Sequence, residues 1–246
     1  MRIHAFHRLF QHRLSLSTKP FNARGCKVVR CQHCQIKQDH CICEYQPDID
    51  TNVAAMLIVS DNEVLKPSNT GRLIVDTIKE SYVYQWNRTE PSSEMLDILN
   101  DERYQPVVVF PEDYTDDKSR VITDLSTTRD LNKTLLFIFL DGSWREARKI
   151  FRRSEYLQNL PVLSIEPDSV SQYMMRKSDN DQHLSTAEVA SLVLKQAHEV
   201  EAGEVLQLWF ETFRESYMLS KTRYKSDPTM PCLKAFIEHT KSEKSV

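Results

Sequence analysis

The sequence predicts an α/β protein built on a mainly parallel sheet. Two short runs, Val53–Val59 and residues 135–140, consist only of apolar residues, as expected for strands buried on both faces. Further short apolar runs alternate along the chain with helical patterns, which favours parallel strands covered by helices. No apolar run approaches the roughly 20 residues of a spanning helix, so we expect no membrane segment.

The individual elements follow from local signals. Strands are predicted where β-branched and aromatic residues cluster between Pro, Gly or Asn, and helices where Ser or Thr precedes a helical apolar pattern. In the first half we predict strand 53–59, helix 71–79, strand 82–86, helix 92–100 and strand 106–110. In the second half we predict strand 134–140, helix 144–157, strand 161–165, and helices 186–200 and 204–223.

Charge is distributed unevenly along the 246 residues. The net charge is only -3, but residues 1–30 contain no acid. The basic residues of this arm are Arg2, Arg8, Arg13, Lys19, Arg24, Lys27 and Arg30. Such an arm suits contact with phosphate, although a solvated terminus and a mitochondrial transit peptide have similar compositions. No apolar secretory signal is visible, and we expect a cytoplasmic protein.

Four cysteines form a compact cluster in the run Cys31-x2-Cys34-x6-Cys41-x-Cys43. Two close pairs of thiolates can supply the tetrahedral ligand set of a structural Zn²⁺. A redox or disulfide role and an iron–sulfur cluster are the alternatives, and Cys26 could compete as a ligand. We therefore divide the chain into a basic arm with a zinc knuckle, residues 1–50, and an α/β catalytic domain, residues 51–246.

The clearest candidate for chemistry lies where the strongest predicted strand ends. The chain has four glycines and no glycine-rich phosphate loop, which argues against Rossmann-type and P-loop sites. Asp141-Gly-Ser-Trp144 instead puts a carboxylate at the carboxyl end of a strand, where open α/β sheets bind ligands. Ser143 and Glu146 can equally be explained as a capping box at the start of the next helix.

Three other stretches carry polar groups that could bind ligands. Residues 67–71 offer hydroxyls, an amide and backbone donors to an anion, or form an ordinary loop and cap. Residues 85–91 combine an aromatic ring with Arg88, or form a turn. Ser185-Thr-Ala-Glu188 fits a capping box better than a site. The helix after Asp141 carries an excess of cations that suits RNA phosphate: Arg145, Arg148, Lys149, Arg152 and Arg153.

Taken together, these stretches resemble the DTW-domain family, and most closely its bacterial tRNA-uridine aminocarboxypropyltransferases. The resemblance runs from about Phe21 to Tyr224. Besides the cysteine run, the matching segments are residues 66–73, 85–92, 108–111, 141–149 and 186–188. Ser143 departs from the Asp-x-Thr-Trp pattern of the family, but a serine keeps the hydroxyl and the capping ability.

The resemblance implies a reaction and a fold. Such enzymes transfer the 3-amino-3-carboxypropyl group of S-adenosylmethionine to N3 of a uridine in tRNA, and 5′-methylthioadenosine leaves. Related enzymes suggest the variable loop as the target. The family implies a SPOUT-like, knotted chain. It leaves the oligomeric state uncertain. A SPOUT-like RNA methyltransferase and a non-catalytic zinc-containing RNA-binding protein are the alternatives.

With that reaction in view, residues can be assigned to roles. We expect Asp141 to be the base or to orient it, and Trp144 to belong to the catalytic centre. The expected cofactor contacts are Ser68, Asn69, Thr70, Pro111, Asp141, Thr186 and Glu188, with the first three at the carboxylate. The expected tRNA contacts are Arg72, Arg88, Arg145, Arg148 and Lys149.

Overall fold

The computed structural model describes residues 1–18, 27–165, 185–220 and 227–243. Six parallel strands form one sheet in the order β2-β1-β5-β3-β6-β4. The strands are β1 Val53–Val59, β2 Ser81–Gln85, β3 Tyr104–Val109, β4 Val121–Ile122, β5 Thr134–Asp141 and β6 Val162–Leu163. The prediction of a parallel α/β sheet is thus confirmed. The adjacent interior strands β1 and β5 are almost entirely buried, which explains their unbroken apolar sequences.

Eight α-helices surround the sheet within the described residues. They are α1 Ala5–Ser15, α2 Asp61–Val64, α3 Gly71–Thr77, α4 Ser93–Leu99, α5 Trp144–Arg153, α6 Thr186–Gln196, α7 Val200–Leu219 and α8 Pro231–Glu243. One hydrophobic cluster joins α1, α3, α6, α7 and α8 to one face of the sheet. A second joins α4 and α5 to the other face. No helix in these ranges is long and apolar enough to span a membrane.

The N-terminal segment packs as part of the same core. Phe6 on α1, and Ile36 and Ile42 in the cysteine segment, are buried in the cluster that contains β1. The Arg2 guanidinium donates to the main-chain oxygen of Asp76 at 2.7 Å. Part of the basic arm is therefore a packed helix rather than a solvated terminus. Lys19, Arg24 and Cys26 lie outside the described residues.

Several predicted helix boundaries were wrong: helices 71–79, 144–157 and 204–223 end at Thr77, Arg153 and Leu219, and the junction of the last two predicted helices also differs. Helix 186–200 ends at Gln196, because His198 adopts a φ of 65° and breaks the helix. The next helix begins at Val200 rather than at 204 and includes Gly203. A Cβ on Gly203 would come within 2.9 Å of the Ser191 carbonyl oxygen, so glycine allows α6 and α7 to pack closely.

Candidate active site at the carboxyl edge of the sheet

Asp141 is the last residue of β5 and is only 2% exposed. Its two carboxylate oxygens have different partners. Thr186 Oγ1 donates to Oδ1 at 2.7 Å, and Asn69 Nδ2 donates to Oδ2 at 2.6 Å. The carboxylate thus joins three distant segments of the chain: the end of β5, the loop before α3 and the start of α6.

Burial makes the carboxyl group of Asp141 less acidic. Removal from water raises its pKa from 3.8 to about 6, while the hydrogen bonds from Thr186 and Asn69 act in the opposite direction. The charge of Glu63 also raises this pKa, and that of Arg72 lowers it. A carboxyl group with a pKa near 6 can change its protonation state close to neutral pH.

The loop before α3 is shaped to meet Asp141. Asn69 is buried, and its Oδ1 accepts from Arg72 N at 3.1 Å, so one side chain both caps α3 and binds the carboxylate. A Cβ on Gly71 would lie 2.7 Å from Asp141 Oδ2, which excludes larger residues there without a shift. Ser68 is exposed and Thr70 is half-buried. Of these three expected cofactor contacts, only Asn69 is brought to Asp141.

An apolar cavity of about 170 Å³ adjoins Asp141. Leu140 and Gly142, on either side of Asp141, line it. Other lining residues are Phe110, Pro111, Trp144, Ile165, Thr186 and Val189. The expected residues Pro111, Trp144 and Thr186 therefore share one cavity, and Asp141 reaches it through Thr186. Ile165 and Thr186 border residues 166–184, which lie outside the described part of the chain.

Aromatic rings form one wall of this apolar cavity. Phe110 stacks on Trp144 with ring centroids 5.6 Å apart, and on Phe151 with centroids 4.4 Å apart. Trp144 is 37% exposed. The indole is thus supported from beneath and partly open to solvent, which suits a stacking surface for a flat ligand.

The two proposed capping boxes are both present. Ser143 Oγ accepts from Glu146 N, and Ser185 Oγ accepts from Glu188 N. In return, the Glu188 carboxylate accepts from Ser185 N at 2.9 Å. The capping interpretation is confirmed for both serines. Glu188 is buried and acts as part of a helix start next to Thr186.

A basic groove of about 330 Å³ runs along α5. It is lined by Tyr114, Arg145, Arg148, Lys149, Arg152 and Arg153. The guanidinium of Arg148 lies 5.7 Å from the Tyr114 ring and 5.9 Å from the Trp144 ring. The groove therefore meets the aromatic wall of the apolar cavity, and the expected cations Arg145, Arg148 and Lys149 lie together.

A polar cavity of about 550 Å³ lies on the other side of α5. It is lined by Ser60, Asp61, Asn62, Gln85, Trp86, Asn87, Arg88, Glu146 and Lys149. The sequence had indicated only the segment around Trp86 and Arg88. Ser60 and Asn62 were missed, although they directly follow β1 and so occupy the edge where ligands of parallel sheets bind.

Arg72 does not belong to this surface. It is 2% exposed, its guanidinium donates to the carbonyl oxygens of His33 at 3.2 Å and Lys66 at 3.0 Å, and it lies 5.1 Å from the Phe6 ring. Burial also lowers its pKa to about 10. The expectation that Arg72 contacts RNA phosphate is corrected: it connects the cysteine segment to the loop before α3.

The four cysteines converge as the spacing predicts. Cys31 Sγ lies 3.6 Å from Cys43 Sγ, and Cys34 Sγ lies 3.8 Å from Cys41 Sγ. A tetrahedral zinc with Zn–S bonds of about 2.3 Å separates its sulfurs by about 3.8 Å. Within the described residues all four are free thiols. The group is compatible with a metal ion of this geometry.

The fold and site define an α/β protein with ligand cavities at the carboxyl edge of a parallel sheet, a basic groove and a four-cysteine group. The chain matches the DTW domain over residues 28–218, most of its length. The chain belongs to this family, and this membership is consistent with a tRNA-modifying role. A comparison with solved structures found no significant match.

Proposed function

We propose that this protein transfers the 3-amino-3-carboxypropyl group of S-adenosylmethionine to N3 of a uridine in tRNA. The observation that carries the proposal is the Asp141–Thr186 pair at the rim of an apolar cavity that opens beside a basic groove. Such an arrangement provides separate surfaces for a nucleoside donor and for a polyanionic acceptor. Membership of the DTW family supports the tRNA part of the proposal.

We assign the apolar cavity to the adenine ring of the donor. Trp144 and Phe110 offer a ring face for adenine, and Pro111 closes the same wall. When bound, the donor supplies a carbon–sulfur bond that breaks as the new N3–C bond forms. Sulfur keeps the electron pair of the broken bond, so neutral methylthioadenosine leaves. The N3 proton is lost to solvent. The protein has to select the correct carbon by positioning.

Asp141 contributes to this positioning. Both of its oxygens already accept hydrogen bonds, and its side chain reaches the apolar cavity only through Thr186. We therefore assign Asp141 as the residue that orients the Thr186 hydroxyl and the Asn69 amide, rather than as the group that removes the N3 proton. Thr186, which lines the apolar cavity, would hold the polar part of the donor.

The four cysteines fit Zn²⁺ by donor type as well as by distance. Four thiolates fill a tetrahedral shell and leave no position for water, which is the pattern of a structural site. Such a zinc would fix the segment that contacts Arg72, and through Arg72 the loop that carries Asn69. The knuckle would thus support the site without taking part in the reaction.

The basic groove would bind tRNA phosphates. Its five cations extend over α5 with Glu146 as the single acid in the helix. Arg88, at the polar cavity, would add a sixth cation. A cytoplasmic location and a SPOUT-like, knotted fold remain part of this proposal.

The test is an assay of the purified full chain with S-adenosylmethionine and unmodified tRNA transcripts. We expect methylthioadenosine to form in step with aminocarboxypropyluridine in the digested tRNA, both detected by mass spectrometry. S-adenosylhomocysteine with a methylated nucleoside would instead identify an RNA methyltransferase. Binding of tRNA without any nucleoside product would indicate a non-catalytic RNA-binding protein.

A further inference from the structure

We propose that the polar cavity receives the acceptor nucleotide, an unpaired uridine of the RNA. This inference rests on the proposed function and adds a binding site to it. The cavity, of about 550 Å³, lies at the carboxyl ends of β1 and β2 and beside α5. Its volume falls within the roughly 300–1,000 Å³ of small-molecule sites and exceeds that of the apolar cavity.

The two cavities meet at the ends of two adjacent strands. Ser60 directly follows β1 and lines the polar cavity, whereas Gly142 directly follows β5 and lines the apolar cavity. Ser60 N donates to the main-chain oxygen of Asp141 at 2.8 Å, so these strand ends are in contact. A Cβ on Gly142 would lie 2.8 Å from Ser60 Oγ, so the two strand ends pack closely and the two cavities lie on either side of this contact.

The side chains of the polar cavity match the chemistry of a nucleobase. Asn62 donates to Glu146 and Gln85 to Asp61, each through one N–H of its carboxamide. The second N–H and the oxygen of each carboxamide can still bond to the edge of a base. The Trp86 indole adds an aromatic surface, and its Nε1 donates to Ser154 Oγ at 3.0 Å, which fixes the ring. Unpaired RNA bases are recognised by this combination of stacking and edge hydrogen bonds.

The polar cavity and the basic groove share one lining residue. Lys149 lines both, and its Nζ lies 5.2 Å from the centroid of the Trp86 ring. Arg88 is exposed beside the same ring. A polynucleotide held by its phosphates along α5 could therefore place one nucleotide in the polar cavity without leaving the cationic surface.

The aminocarboxypropyl tail of the donor is a less suitable occupant. Its ammonium group would need an available carboxylate. Asp61 already accepts from Arg13 Nε at 2.7 Å and from Gln85 Nε2 at 2.8 Å. Glu146 accepts from Ser143 N at 2.9 Å and from Asn62 Nδ2 at 3.1 Å. Both acids of the cavity already accept hydrogen bonds, and Asp61 is paired with Arg13, which makes the cavity less attractive to an ammonium group.

Photocrosslinking tests this placement independently of catalysis. The full chain is irradiated with a tRNA transcript that contains 4-thiouridine, and crosslinked peptides are identified by mass spectrometry. We expect crosslinks within residues 60–62 or 85–88. Absence of crosslinks from both segments would overturn the proposal, as would crosslinks confined to Tyr114 and Trp144, which would put the base on the aromatic wall. If methylthioadenosine is never formed, the proposed transfer fails, but the crosslink result still stands.

Two variants give a second readout. Asn62→Ala and Gln85→Ala should each lower kcat/KM for tRNA by about tenfold, while affinity for S-adenosylmethionine stays within about twofold. The matched control is Asn132→Ala, an exposed asparagine just before β5 at the opposite edge of the sheet. Equal kcat/KM for all three variants, with unchanged melting temperatures, would contradict the proposal.

Discussion

The hydroxyl of Thr186 donates to the carboxylate of Asp141 at 2.7 Å, although the two residues lie 45 positions apart in the chain. Thr186 is the first residue of α6 and lines the apolar cavity, whereas Asp141 is buried at the end of β5. The carboxylate therefore influences the apolar cavity indirectly, because it fixes the orientation of the Thr186 hydroxyl.

Replacing Thr186 tests this relationship. Thr186→Val keeps the shape but removes the donor, and leaves one oxygen of a buried carboxylate unpaired, which costs about 1–3 kcal/mol. We expect transfer to fall by about 100-fold and donor affinity to weaken, as measured by steady-state kinetics and calorimetry. Thr186→Ser keeps the hydroxyl and should retain most activity. Loss of activity in Thr186→Ser but not in Thr186→Val would show that the methyl group, not the hydroxyl, matters.

Asp141→Asn should change the pH dependence of stability. The pKa of Asp141 is about 6 in the folded protein, above its ordinary 3.8, so the folded state binds this proton more tightly. Wild-type stability from this group is therefore greatest below about pH 4 and declines as pH rises towards 6. The free energy of unfolding of Asp141→Asn, relative to wild type, should increase by up to about 3 kcal/mol between pH 4 and pH 7.

Urea unfolding at several pH values measures this difference. The same variant should lose transfer activity at neutral pH, because an amide cannot accept from both Thr186 and Asn69 as the carboxylate does. A pH-independent difference in stability between variant and wild type would contradict the raised pKa.

Arg148→Ala should weaken tRNA binding without affecting stability. Arg148 lies in the basic groove beside Tyr114 and Trp144. Loss of one phosphate contact should reduce the salt dependence of the affinity by about one unit in the log–log slope. Filter binding at several salt concentrations measures this slope. Arg103→Ala, an exposed arginine at the amino end of β3, is the control and should leave the slope unchanged.

Arg72→Ala should lower stability and leave tRNA binding unchanged, in contrast to Arg148→Ala. The guanidinium is buried and donates to the carbonyl oxygens of His33 and Lys66, so its removal leaves buried acceptors unpaired. We expect a loss of about 2–4 kcal/mol in the free energy of unfolding. Under conditions in which the variant is folded, tRNA affinity and its salt slope should match those of wild type. A reduced slope without loss of stability would restore Arg72 to the RNA surface.

Much of the sheet could be predicted from the sequence because its central strands are continuous apolar runs. Val53–Val59 was predicted with its observed bounds, and β5 was predicted to within one residue. Helix α1 was missed, although Phe6 and Phe10 are spaced by one helical turn and both are buried. Basic and polar residues dominate the composition of that segment, but its apolar face packs on the core.

The candidate site was only partly predictable. Asp141 could be identified from its position after a strand, but its partners could not, since Thr186 and Asn69 approach it only through the tertiary fold. The burial of Arg72 could not be predicted from the sequence either, because an arginine beside a polar loop usually remains in solvent. Local patterns predict elements and caps well, whereas contacts between distant segments need the folded structure.

Cys34→Ser tests the metal and its role together. Loss of one of four thiolates should release the zinc, measured as metal content of the purified protein, and lower the melting temperature. The adjacent His33 carbonyl accepts from the Arg72 guanidinium, and Asn69 Oδ1 accepts from Arg72 N, so loss of the knuckle should also weaken donor binding at the distant Asp141 site. Cys232→Ser, outside the cluster, should keep the metal, the stability and the donor affinity. If Cys34→Ser binds the donor as tightly as wild type, the cysteine segment does not support the loop before α3.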